Sequence, residues 1–298
     1  MTALDEALAA AATGTAPDTV ALMRILMEAT TEAAARDGLA AMQAAHAGDA
    51  EAAAALGRVA ALWAATPGAW DAVRNTVARI AHRPPGDGPD AVLTYWAASF
   101  DRLVAAQPEA SVALYSLGSP AVLAAATDEI VALMDRWGLL APAGHVLDLG
   151  CGIGRFLQAL APRVAHVTGL DISAGMVAEA RRRCAGLGKV TVRQGSGRDL
   201  AGVADDSLDL VLAADVFPYL VEAGGGLAEA HVAEAARVLG PGGSLLILNY
   251  SYRGDAAADR AAVMASAVAH GFAVERAGTR DFALWDGAAF LLRRFPAR

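Results

Sequence analysis

A chain of 298 residues is long enough for one large or two ordinary domains, which excludes a single minimal core. Apolar residues make up 55% and charged residues 19%, enough burial to offset chain entropy along most of the length, which excludes global disorder. The formal charge of -8, from 24 Lys and Arg against 32 Asp and Glu, argues against a broad phosphate-binding surface, so no nucleic-acid partner is expected.

The opening MTALDEALAA places Asp5 and Glu6 before any Lys or Arg, the wrong polarity for a secretory signal. From Thr2 to about His82 the pattern is helical and Ala-rich. Val20, Met23 and Met27, with Leu22, Ile25 and Leu26, follow helical spacing after Pro17-Asp18, and Thr66-Pro67 has the cap-then-proline form of a second helix start. The mean hydropathy of +0.37 comes from this alanine, and charge, Gly or Pro interrupts every run that approaches the ~20 apolar residues of a membrane span, so no membrane is expected. Arg83-Pro84-Pro85-Gly86-Asp87-Gly88-Pro89 is dense in helix breakers and predicts a linker. More helices follow. The first carries Tyr95-Trp96-Ala97-Ala98-Ser99-Phe100-Asp101; the last is capped by Ser119, starts at Pro120, buries Leu123, Ile130, Met134 and Trp137 on one stripe and ends at Gly138.

From His145 onward short apolar runs at 145–149, 167–171, 190–193, 208–213 and 244–249 read as strands. Helical stretches near 154–161, 174–185, 226–239 and 256–270 separate them, and 272–276 and 289–294 read as two closing strands. Strands this rich in Val, Leu and Ile, joined by crossover-length segments, require a parallel sheet covered on both faces. The fold class is therefore α/β, a doubly wound, mostly parallel sheet with an N-terminal all-helical region. Cys151 and Cys184 lie far apart with no C-x-x-C and no ligand-spaced His, so neither a disulfide nor a metal site is predicted and a reducing cytoplasm is expected.

Between the first of these strands and the next helix, Gly150-Cys151-Gly152-Ile153-Gly154 forms a glycine-rich turn. In an open α/β sheet ligands bind at the carboxyl ends of the strands, where such a turn lets backbone approach them. The spacing is G-x-G-x-G: Arg155 or Leu157 stands where a dinucleotide fingerprint needs its third glycine, and no G-K-[ST] follows. A nucleoside without a pyrophosphate fits better. Asp171 ends the second strand, where a carboxylate can accept both ribose hydroxyls or, beside Ser173, cap the next helix.

These residues resemble the successive motifs of class I methyltransferases that use S-adenosylmethionine (SAM): Val-Leu-Asp-Leu-Gly-Cys-Gly-x-Gly at 146–154, Gly-Leu-Asp-Ile-Ser at 169–173, Asp-Asp-Ser-Leu-Asp-Leu-Val at 205–211 and Arg-Val-Leu-Gly-Pro-Gly-Gly at 237–243. The resemblance covers about 140 to 298 and implies a seven-stranded sheet whose last strand runs antiparallel. It implies SAM as cofactor, with Asp148, Gly150, Cys151 and Gly152 around its methionine part and Asp171 and Ile172 at the ribose. Ser196 stands where the family often has an acid for the adenine, so Ser196, Gly197 and Arg198 are the adenine candidates. Gly240-Pro241-Gly242-Gly243 is expected as a turn into the fifth strand. Tyr115, in the helical lead-in, is a candidate cap on the methionine end, against core packing as the default.

An electrophilic sulfonium methyl needs an aligned acceptor in the first place, and a base only where that acceptor is protonated near neutral pH. The fourth strand ends in Asp215-Val216-Phe217-Pro218-Tyr219. Val216 occupies the acidic position of the D/N-P-P-Y pattern of amino-group methyltransferases, so base methylation is not inferred. Asp215 and Tyr219 are the candidates for orienting or deprotonating the acceptor, Asp215 also lying beside the cofactor; Tyr250 is a further catalytic candidate, with Tyr252 beside it. His145 and His166 sit at the wrong sheet edge, and His231 beside Glu234 and Arg237 reads as a solvated helix face.

The expected function is methyl transfer from SAM to a small organic acceptor by in-line displacement. The alternatives are a SAM-binding regulatory or assembly protein without turnover, and a protein methyltransferase. Three segments are expected: 1–88 as a lid or homodimer contact, 89–140 as a lead-in covering the SAM pocket, and 141–298 as the SAM-binding domain.

Overall fold

The computed structural model describes residues 1–80 and 88–296. His82 and residues 83–87 of the expected linker lie outside them. The described residues group into two compact units, each discontinuous in sequence.

The first unit comprises residues 1–80, 105–129 and 282–286. Its helices are α1 (Ala3–Ala12), α2 (Asp18–Glu28), α3 (Glu32–Ala45), α4 (Ala50–Ala65) and α5 (Ala69–Arg79). Thr2, Thr31 and Asp49 cap α1, α3 and α4 by accepting backbone N–H bonds in the first turn. Leu22, Ile25, Leu26, Leu56 and Val73 are wholly buried in the core between them. Removing each such side chain from water contributes about 1.5–3 kcal/mol. The expected helix start at Thr66-Pro67 is displaced: Thr66 closes α4, its hydroxyl donating to the Leu62 carbonyl at 2.8 Å, and Gly68, at φ 87°, opens α5.

The second unit comprises residues 88–104, 130–281 and 287–296. It takes nearly all of α6 (Pro89–Ala106); α7 (Pro108–Val112) belongs to the first unit, and α8 (Pro120–Arg136) runs from the first into the second. Ser119 accepts the Val122 N–H, and Gly138, at φ 68°, follows the last turn of α8, as its sequence requires. Then come β1 (His145–Leu149), α9 (Arg155–Leu160), β2 (His166–Asp171), α10 (Ala174–Arg183), β3 (Val190–Gln194), β4 (Leu208–Ala214), α11 (Phe217–Ala223), α12 (Leu227–Val238), β5 (Leu239–Leu248), α13 (Ala256–Ala269), β6 (Phe272–Thr279) and β7 (Ala289–Arg294).

The strands form one seven-stranded sheet in the order β3-β2-β1-β4-β5-β7-β6; β7 runs antiparallel to both β5 and β6, and the other pairings are parallel. The doubly wound sheet and its antiparallel closing strand are as the motifs imply. Chain order reverses between β1 and β4, which sets a crevice at their carboxyl ends. Leu147, Leu210, Val211, Leu212, Leu246 and Ile247 are fully buried, the continuous apolar pattern of strands covered on both faces.

Three local readings change. Gly240-Pro241-Gly242-Gly243 falls within β5 as a bulge: Leu208 pairs with Leu239 and Leu210 with Ser244, so the four residues loop out of register. Phe217-Pro218-Tyr219 is the first turn of α11 rather than a strand end, Pro218 being suited to a helix start. His231 is buried at 2% exposure, its ring bonded to the Leu227 carbonyl at 2.9 Å, and burial lowers its pKa; α12 turns this face to the interior. Among the described residues no helix is long and apolar enough to cross a membrane, and no group of His, Cys, Asp and Glu is arranged to hold a metal.

Candidate functional site

The carboxyl edge of the sheet collects the glycine turn after β1, Asp171 at the end of β2, Asp215 after β4 and Asn249 after β5. The turn is docked on β2, since the Gly150 and Cys151 N–H groups both donate to the Leu170 carbonyl, at 2.7 and 3.0 Å. Gly150 has φ 68°, and a Cβ there would stand 2.2 Å from a methyl of Val216, so only glycine lets β1 pass the β4–α11 turn. Cys151 is buried and its sulfur packs against Gly169; burial and then the Asp148 charge push its thiol pKa up, which makes it an inert packing residue.

Asp171 binds the turn to the next helix. Its Oδ2 accepts the Gly152 N–H and its Oδ1 the Ser173 N–H, each at 2.9 Å. Burial pushes its carboxyl up to about 6, against the two N–H bonds that favour the charge. Two carboxylate oxygens offer about four acceptor sites, so capacity for a diol remains beside these bonds. Ser173 caps α10, and its hydroxyl donates to Asp101 Oδ1 at 2.6 Å, an oxygen that also accepts the Gly175 N–H at 2.7 Å. Asp101 of α6 thus reaches the same turn. No spacing rule links it to residues 72 positions away.

Asp148 is 1% exposed, and its Oδ2 has no hydrogen-bond partner among the described residues. Burial pushes its pKa up to about 8, with Arg155 opposing the shift and Asp171 adding to it. A buried, unsatisfied carboxyl beside a glycine turn suits a cationic or donor group of a ligand.

At the end of β3, Ser196 is occupied locally: its hydroxyl donates to Asp199 at 2.8 Å and accepts the Arg198 N–H at 3.0 Å. Arg198 pairs with Asp90 of α6, and Gly197, at φ 73°, packs against Ile172 and Leu93. The backbone at Gly197 is therefore the part of this segment set beside Ile172.

Beyond β4, Asp215 has φ 57°, and its Oδ1 accepts the Asn249 amide at 2.8 Å and the Tyr252 hydroxyl at 3.0 Å. Trp96 lies 4.6 Å from Tyr219, Phe100 5.4 Å and Tyr252 6.0 Å, ring centre to ring centre, and the Trp96 indole N–H donates to Glu222 at 2.8 Å. Burial, then the Asp215 charge, push the Tyr219 phenol up, whereas Tyr252 is 63% exposed. Tyr250 instead sits at 7% exposure between Phe217 and Phe290, at 5.8 and 6.2 Å, so Tyr252 is the tyrosine of this loop that meets Asp215. Tyr115 belongs to the first unit, 4% exposed and stacked on Trp285 at 5.6 Å. Sequence alone sets Tyr250 and Tyr252 side by side after β5 and gives Asn249 no role; an Asn directly after the apolar run of β5, tolerant of left-handed backbone, is the signal it holds.

Residues 147–247 match the family model described as a methyltransferase domain. They form such a domain. The demethylmenaquinone methyltransferase of Clavibacter sepedonicus is 35% identical over 151 residues, 44% of this chain and 59% of the relative. Magnesium protoporphyrin IX methyltransferase from Synechocystis PCC 6803, solved with bound SAM, gives a TM-score of 0.52 at 22% identity over 71% of this chain and 99% of that one. Phosphoethanolamine N-methyltransferase 1 from Haemonchus contortus, solved with phosphoethanolamine and S-adenosylhomocysteine, gives 0.54 at 14% identity over 70% and 50%. These two establish a shared fold. The chain spans 59% and 42% of the length of two curated relatives that it matches.

Proposed function

We propose that the chain transfers the methyl group of SAM to a small organic acceptor. The observation that carries this reading is the coupling of Asp171 to the Gly152 N–H at the strand-order reversal of the sheet, which fixes a carboxylate and a glycine turn around one ligand position. SAM, when bound, supplies a methyl group on a positively charged sulfur. Asp171 accepts from the ribose hydroxyls, Gly150, Cys151 and Gly152 bring backbone against the methionine part, and the Asp148 carboxyl faces its cationic end. Ile172 and the backbone of Gly197 and Arg198, with the Ser196 hydroxyl, flank the adenine. Asp215 and Tyr219 meet the acceptor, orienting it and holding its departing proton when it has one; the aromatic rings around them exclude water.

The acidic balance supports a small organic acceptor over a nucleic acid. From the sequence, segment 1–88 is assigned as a lid or homodimer contact, and Cys151 and Cys184, free and buried, suit a reducing cytoplasm. Production of S-adenosylhomocysteine across a panel of phenols, amines, thiols and carboxylic acids tests the whole reading. Calorimetric SAM binding without product from any class points to a binding protein, and absence of SAM binding refutes the reading.

A further inference from the structure

The strands that end at the proposed acceptor mouth both finish on a non-glycine residue with left-handed backbone, Asp215 at φ 57° and Asn249 at φ 63°. Four such residues occur among the described ones, and these two stand one step past Ala214 and Leu248, the last register pair of β4 and β5. A residue with a Cβ avoids this conformation, which persists only where the surroundings over-determine it. Here they do. The Asp215 N–H donates to the Leu248 carbonyl at 2.9 Å, and the Asn249 N–H donates to the Ala288 carbonyl at 2.8 Å. Asn249 Oδ1 accepts the Ala288 N–H at 2.9 Å, which fixes the way round of the amide, so the group that meets Asp215 Oδ1 at 2.8 Å is the Nδ2 donor.

Closing these strand ends alone would be served by glycine, which adopts the conformation without cost. An asparagine there adds two things, an acceptor that closes the Ala288 N–H and a neutral donor directed at a carboxylate, and only the donor reaches the acceptor site. We propose that Asn249 is a positioning residue of the acceptor site: its amide, oriented by Ala288 just before β7, holds the Asp215 carboxylate in a single orientation toward the acceptor. This rests on the assignment of Asp215 to the acceptor given above. Asn249 acts through Asp215 and touches neither substrate. Tyr252, donating to the same oxygen from the β5–α13 loop, completes a pair of neutral donors on Oδ1.

The test is the titration of the Asp215 carboxyl in the full chain, followed by carbon NMR of aspartate labelled at Cγ and assigned by its loss in Asp215→Asn. Thermal melts and calorimetry with S-adenosylhomocysteine accompany it. Asn249→Gly removes the donor and relieves the backbone. Its Asp215 midpoint is expected to rise by about one pH unit, a tenfold change in proton affinity, while the chain still melts cooperatively and the S-adenosylhomocysteine Kd stays within about twofold of wild type. Asn249→Asp keeps the side-chain length and the tolerance of left-handed backbone but sets a second carboxylate against the first, so one of the pair is expected to titrate higher still. It also carries the comparison if the glycine variant does not fold. An Asp215 midpoint that is unmoved in the folded variants overturns the proposal. A wild-type chain that does not bind S-adenosylhomocysteine refutes the methyltransferase reading instead, and the titration still decides whether Asn249 clamps Asp215.

Discussion

Asp171 and Asp148 are carboxyls at the same glycine turn with opposite surroundings, and the difference sets what each can do. Asp171 has backbone donors on both oxygens, so it is already the acceptor end of a network that a ribose would extend. Asp171→Ala is expected to weaken S-adenosylhomocysteine binding by about 1.5–3 kcal/mol, the range for hydrogen bonds to a charged group, measured by calorimetry on a variant that melts cooperatively. An unchanged Kd would sink the assignment. Asp148 has an unpartnered oxygen and a folded pKa near 8 against an unfolded value near 4. The native state therefore holds a proton that the unfolded chain releases, so this residue costs stability progressively as pH rises from about 4 to about 8. Asp148→Asn is expected to melt near the wild-type temperature at pH 4 and to be more stable at pH 8 by on the order of a few kcal/mol. A stability difference independent of pH would show that Asp148 stays ionised in the fold. A cation brought beside it should draw the proton off, so SAM binding near pH 7 should release protons, visible as a calorimetric enthalpy that varies with the buffer.

The elements that position the site were mostly written in local pattern. The apolar runs at 145–149 and 208–213, the Gly150–Gly154 turn and the acid closing β2 follow from period, glycine chemistry and topology, all of which act within a few residues. α11 was hidden because Asp215-Val216-Phe217-Pro218-Tyr219 is as apolar as a strand end, and the proline that suits a helix start also suits a turn. The buried state of His231, the reach of Asp101 to Ser173 and the bond from Asn249 to Asp215 depend on which faces the tertiary fold apposes, which one sequence does not encode locally. The β4–α11 turn makes two element-scale predictions. Gly150→Ala should cost about 1–3 kcal/mol from left-handed strain and the overlap with Val216, and Val216→Ala in the same chain should restore part of it; no recovery in the double variant would mean that the overlap relaxes without cost. At the other side of the turn, Asp215→Asn should lower kcat by about 10^2–10^4 if the carboxylate removes a proton, whereas a KM effect larger than the kcat effect marks an orienting role. Wild-type constants in both Asp215→Asn and Tyr219→Phe would place the acceptor elsewhere.

At the scale of the whole chain, each compact unit is stitched from separated segments, and this decides what a truncation does. A chain beginning near Ala91 keeps every strand, so from sequence pattern alone it should behave as a free-standing sheet domain. The first unit does not divide there, because 105–129 and 282–286 belong to it. Leu117 is 2% exposed within the core built by α1 to α5, the Thr19 hydroxyl donates to the Leu284 carbonyl at 2.6 Å, and Arg24 pairs with Asp286 at 2.7 Å. Deleting residues 1–80 strips Leu117 of its apolar partners and the 282–286 segment of its hydrogen bonds, leaving apolar surface of the kind that drives association. The shortened chain is therefore expected to bind a hydrophobic dye and to run as oligomers or aggregates in light scattering, even though the seven strands are all present. Full-length Leu22→Ala tests the same core more gently: a fully buried leucine at the centre of α2 should cost about 2–5 kcal/mol, read as an earlier thermal transition. If the shortened chain is instead monodisperse, dye-free and equal to the full chain in S-adenosylhomocysteine affinity, residues 105–129 and 282–286 do not depend on the N-terminal helices.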